Sequence, residues 1–168
     1  KLAWVMLSFM VPQVIFSLAG GVFADRYNKK KVVAVAQSLN CSATLILAVI
    51  ILMDRVTFWD FIWFGFFNGT VLALSMPART AFIPDVVGER LLFNAMALST
   101  TSMNLARILG PALAGAMIAV LAGGNTASAF GVGVVYIVIA VLYFFSAISM
   151  AFVETPGRPA ARRDSRAL

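Results

Sequence analysis

The sequence predicts an all-α integral membrane protein built from five crossing helices. Of its 168 residues, 61% are hydrophobic and only 12% are charged, too little polar surface to cover a core in water. The mean hydropathy is +0.94, which makes lipid the natural solvent. The apolar residues fall into five runs, at about 2–23, 32–53, 58–78, 95–122 and 129–153. Each is long enough to cross about 30 Å of hydrocarbon at a rise of 1.5 Å per residue. Helices are the only element that fits: an open strand strands its backbone polar groups in lipid, and the alternating ten-residue segments of a barrel do not occur.

The first run ends in residues 20–31, "GGVFADRYNKKK", which returns at once to apolar sequence. Lys29, Lys30 and Lys31 are accounted for by anchoring at phosphate headgroups. Asp25 is not. An acid at the membrane edge, next to a glycine pair that permits close helix approach, can accept from orphan amides at another helix's N-terminus. It can equally pair with Arg26 or Arg79. In the second run Gln37, Asn40 and Thr44 share a face, and the third carries Asn68; such groups either bond helices together or line a translocation path. The third run opens with "FWDFIWFGFF", whose Trp59 and Trp63 suit an interfacial anchor.

Between the third and fourth runs, residues 79–94 read "RTAFIPDVVGERLLFN". The apolar positions predict a short interfacial helix whose first turn Pro84 fixes. Asn94 suits an N-cap for the fourth run. That run contains Arg107, roughly 20 Å along the helix from Asn94 at 1.5 Å per residue. A central Arg costs about 2.5–3.5 kcal/mol to insert. With Asn104 and Thr100 it forms a polar stripe at i, i+4 and i+7 spacing. Such an Arg faces a cavity, a partner elsewhere in the protein or an anionic substrate; the plainer alternative is an Arg bonded to backbone carbonyls. Pro111 removes the bond to the Arg107 carbonyl and predicts a kink. Ala106, Gly110 and Ala114, followed by Gly115, predict a close-packing seam.

Charge sets the orientation. Arg26, Lys29, Lys30, Lys31, Arg79, Arg90 and four arginines of the tail lie on one side, against Lys1 and Arg55 on the other. The positive-inside rule then places residues 24–31, 79–94 and the Pro/Arg-rich tail 154–168 in the cytoplasm. Residues 1–153 form a transmembrane bundle and 154–168 a linker. The net charge of +6 belongs to these flanking clusters. The bases are not interleaved with aromatics on one face, so nucleic acid is not expected as a partner. There is no histidine, the lone Cys41 lies within an apolar run, and no metal-ligand spacing or mid-run carboxylate cluster occurs. The sequence therefore predicts no metal, no cofactor and no enzyme.

Residues 20–31 resemble the signature loop of the major facilitator superfamily, G-x-x-x-D-R-x-G-R-R/K, with Gly21, Asp25, Arg26, Lys29 and Lys30 at matching positions. Asn28 stands where the family has glycine and tolerates a left-handed backbone better than most residues. Lys29 stands for arginine and loses the bidentate fork. The stretches "SMPARTAFIPDVVGERLLFNAMAL" and "NLARILGPALAGAMI" resemble the drug- and siderophore-exporter branch, and Gly110, Pro111 and Gly115 resemble the antiporter motif of helix five. The resemblance aligns this chain to helices two to six of twelve, within the N-terminal six-helix half. It implies a secondary active transporter that couples proton entry to efflux of a drug- or siderophore-like small molecule by alternating access. The implied setting is a bacterial inner membrane, with a missing C-terminal half as partner. It further implies that Asp25 latches the cytoplasmic side against that half, with Gly21 permitting close approach and Arg26, Lys29, Lys30 and Arg79 extending the charge network. Arg107, Asn104, Asn40 and Asn68 are the candidates for the translocation path. The competing reading is a non-transporting scaffold on the same fold.

Overall fold

Five long helices account for the five apolar runs. The computed structural model describes residues 2–121 and 128–153, and the side chains of residues 2 and 23–25 lie outside that description. In order they are α1 (Leu2–Arg26), α2 (Lys29–Leu52), α3 (Phe58–Val87), α4 (Leu92–Leu121) and α5 (Ala129–Phe152), with a 3₁₀ turn, Glu89–Leu91, leading into α4. No strand occurs among the described residues. All five helices are long and apolar enough to cross a membrane. The tail assigned as a linker, 154–168, lies outside the described residues.

Three local expectations give way. Residues 79–94 are mostly helix: α3 runs on to Val87, with Pro77 and Pro84 both inside it. Pro84 therefore starts no separate interfacial helix. A proline costs a helix one bond, and here the helix continues on either side of it. The real stop is Gly88, whose φ of 72° lies in the left-handed region that glycine enters freely, with its N–H donating to the Pro84 carbonyl. Asn94 is not a cap either, because α4 already starts at Leu92. Asn28 is not left-handed. Its φ of −65° and ψ of 112° are extended, and its side chain accepts from the Lys31 N–H, the usual N-cap arrangement.

Packing is uneven. α1 lies along α3, α2 lies along α5 and touches α3, and α4 leans only lightly on α3 and α5. The α1–α3 contact is built from small residues on α3: Gly65, Gly69 and Ala73, followed by Pro77, recur every four residues and face α1. A methyl group at Gly69 would overlap the Phe9 carbonyl, and one at Gly20 would overlap the Ala73 carbonyl. Pro77, having no N–H, leaves the Ala73 carbonyl without its helical partner. Gly20 packs on that freed carbonyl at a distance only a residue without Cβ permits. Sequence reading placed the small-residue seam on α4 instead. There Gly110 and Gly115 have nothing within 4 Å, and no residue of α4 is buried.

α2 carries the interior. Val33, Ala36, Asn40, Thr44, Leu47, Ala48 and Ile51 are buried along one face, at the i, i+3, i+4 spacing of a helical stripe. Large apolar side chains such as Leu142 and Phe145 remain exposed, as helices suited to hydrocarbon rather than water allow.

Candidate functional site

Two groups of residues bear on function: the end of the bundle where the basic turns gather, and the polar residues at mid-span.

At the basic end the three consecutive lysines meet three different fates. Lys29 is buried, and its Nζ donates to Asp85 Oδ2 at 2.9 Å and to the Ala81 carbonyl at 3.1 Å. Both side chains are about nine-tenths buried. The pairing relieves two charges that are each misplaced on their own helix. A cation in the first turn of α2 faces the positive end of that helix dipole, and an acid in the last turn of α3 faces the negative end. Lys30 reaches α5, donating to the Ala151 carbonyl at 3.2 Å and the Val153 carbonyl at 2.6 Å. It thereby satisfies acceptors that a helix end leaves orphaned. Headgroup anchoring is thus corrected for both: Lys29 and Lys30 hold α2 to α3 and α5. Only Lys31 stays exposed, with no side-chain partner among the described residues.

The remaining members of the expected charge network are placed as follows. Asp25 lies in the last turn of α1 by its backbone, and its side chain falls outside the described residues. Arg26 and Arg79 are exposed. Gly21 faces open space, with nothing within 4 Å of where a Cβ would stand. Of the glycine pair, it is Gly20 that makes the close contact inside this bundle.

At mid-span the four path candidates separate. Asn68 lines a cavity of about 620 Å³ between α1, α3 and α5, together with Gln13, Phe9, Phe64 and Tyr136. The rings of Phe64 and Tyr136 meet edge to face at 6.0 Å. Gln13 was missed from sequence, although a lone amide in the first apolar run is itself the signal. Asn40 does not line an open path. It is 7% exposed, and its Oδ1, like the Thr44 Oγ1 one turn away, is enclosed without a hydrogen-bond partner. Arg107 and Asn104 lie exposed on α4, Arg107 near the middle of that 30-residue helix. No acid among the described residues bonds to Arg107, and the single salt bridge found there joins Lys29 to Asp85. No cluster of His, Cys, Asp and Glu that could hold a metal occurs among the described residues.

Comparison with known proteins agrees with this geometry. The family described as "Transmembrane secretion effector" matches residues 1–153. The chain is 28% identical to the staphyloferrin A transporter of Staphylococcus aureus over 66% of its own length and 28% of that protein's. It is 30% identical to the enterobactin exporter EntS of Salmonella typhimurium over 68% of its length and 27% of the exporter's. It is also 24% identical to the uncharacterised MFS-type transporter YfiS of Bacillus subtilis, over 88% of its length and 32% of the relative's. The chain thus spans about a third or less of these relatives. No solved structure matches it significantly.

Proposed function

The chain belongs to the transmembrane secretion effector family of the major facilitator superfamily, and from that premise we propose that the full-length protein is a secondary transporter exporting a siderophore- or drug-like solute. One relative's name, the enterobactin exporter, supports the efflux direction, and the other is a staphyloferrin A transporter. The single observation that carries the reading is Arg107, a full charge halfway along an apolar helix that has no counter-charge among the described residues. A transported anion supplies that counter-charge transiently, and a charge at this depth requires some such partner or a water-filled cavity. Asn104 and Thr100 on the same stripe add hydrogen-bond donors, and Asn68, Gln13 and Tyr136 add polar groups around the cavity between α1, α3 and α5. Sites in this fold lie near the midplane, and access alternates by rocking of two halves. The driving ion is proposed to be the proton. No acid of this chain falls in the middle of a span, so the coupling carboxylate belongs elsewhere in the full-length protein.

Everted vesicles containing the full-length protein test this. Accumulation of a labelled anionic siderophore should require an imposed pH gradient and collapse with a protonophore. Arg107→Gln should lower the initial rate at least tenfold with normal membrane insertion, and Arg107→Lys should lower it less. Full activity in Arg107→Gln would make Arg107 structural and sink the anion reading. No solute movement under either condition would favour the scaffold alternative.

In the same proposal the basic end faces the cytoplasm of a bacterial cell membrane, and Asp25 latches that side against the second half, with Gly21 and Arg26 at the contact. Asp25→Asn is expected to insert normally and transport slowly. Wild-type transport rates in that variant would remove the latch.

A further inference from the structure

Of the three lysines that open α2, two are spent inside the protein and the third stands at the mouth of a groove. The groove, about 330 Å³ in volume, runs between α2 and α3 and is lined by Lys31, Val32, Val35, Leu39, Val71 and Leu74. Val35 is 57% and Leu39 42% exposed, so the groove is open at the surface of these five helices. From Lys31 to Leu39 it extends about 12 Å along α2 at 1.5 Å per residue, most of the roughly 15 Å that one leaflet contributes to the hydrocarbon core. At Leu39 a second cavity of about 350 Å³ continues it toward the far end of α2. That far end carries Asp60, so the charge of the groove is cationic at the basic end alone.

We propose that this groove binds an acyl chain of an anionic phospholipid, whose headgroup phosphate is held by Lys31 at the basic end of the bundle. The two parts of such a lipid match the two parts of the site. Its chain fills an apolar cleft that the helices leave unfilled, and its charge meets the one lysine of the three with no partner among the described residues. Lys29 and Lys30 are committed to Asp85 and to the end of α5, so the headgroup preference should depend on Lys31 and not on its neighbours. A lipid seated there also bridges α2 and α3 at the end where Lys29 already joins them, and should stabilise the same contact. Neither the transported solute nor the latch enters this site.

The test uses the full-length protein, purified in a mild detergent and titrated with phosphatidylglycerol or phosphatidylcholine of identical chains. Native mass spectrometry should show phosphatidylglycerol retained at least tenfold more strongly, with a matching rise in melting temperature. Lys31→Gln should abolish the difference between the two lipids, Lys31→Arg should keep it, and Lys30→Gln should leave it unchanged. Val35→Trp, which fills the groove from its open side, should lower retention of phosphatidylglycerol while Lys31 is still present. Equal retention of both lipids by the wild type would mean unselective annular lipid and overturn the proposal. An equal stabilisation by inorganic phosphate alone would show a bare anion site and overturn the acyl-chain assignment. Unaltered selectivity in Lys31→Gln would remove Lys31 from it.

Discussion

Replacing Lys29 by methionine is expected to destabilise the bundle by about 3–5 kcal/mol, the cost of removing one member of a buried ion pair. The side chains of Lys29 and Asp85 are only 9% and 10% exposed, so water cannot take over the missing contact. The loss falls on Asp85 and also on the Ala81 carbonyl, which the same ammonium bonds. Methionine keeps the length of the lysine stem, so packing along α2 changes little and the electrostatic cost is isolated. The double variant Lys29→Met with Asp85→Leu should recover most of the loss, because apolar replacement of both members of a buried pair is often neutral. Thermal unfolding in detergent of the two single variants and the double variant closes the cycle. Additive losses with no recovery would show that the two groups do not interact, and would return Lys29 to the headgroup anchor that its sequence context suggested.

That context shows where sequence reasoning reached and where it stopped. The five crossings were legible because hydrophobic length is a one-dimensional property and lipid admits few alternatives to a helix. The start of α2 was legible in outline: a turn within 24–31 and the basic cluster were both foreseen, and the helices close that turn down to residues 27–28. What each lysine touches was not, since Lys29, Lys30 and Lys31 are chemically identical and successive helical residues point about 100° apart. One turned to α3, one to α5 and one to the groove. Neighbouring helices decide that, and no local spacing reports it. The helix through Pro84 was misjudged for a related reason: a proline marks the loss of one bond, but tertiary packing and membrane length can outweigh it. Gly88, with a positive φ, carried the stop signal four residues later. Asn40 and Asn68 look alike in sequence, each an asparagine within an apolar run, yet one is enclosed among α2's buried residues and the other lines a cavity.

The small residues follow the same rule, and they yield the sharpest graded prediction. Gly69→Leu should prevent α1 from seating on α3, and Gly69→Ala alone should cost about 3 kcal/mol, the upper part of the usual range for overpacking. The obstacle at Gly69 is the backbone of Phe9, its carbonyl and Cα, which cannot rotate away as a side chain can. Gly20→Ala should be of similar severity, because the nearest atoms are the Ala73 carbonyl and the Pro77 ring. Gly65→Ala meets the Ser8 hydroxyl first, at 2.6 Å. That group now bonds the Val5 carbonyl and can turn aside, so the expected cost is about 1 kcal/mol or less. Gly110→Ala and Gly115→Ala meet nothing and should gain up to about 1 kcal/mol from helix propensity alone. The ordering is the content of the prediction, because all five changes add the same methyl group within apolar helices. Thermal unfolding of the chain in detergent, with hydrogen exchange along α1 and α3, measures it. A flat series would mean that composition, not the contact between these two helices, governs tolerance. Greater loss at Gly110 than at Gly69 would move the tight seam back to α4, where the sequence pattern had placed it.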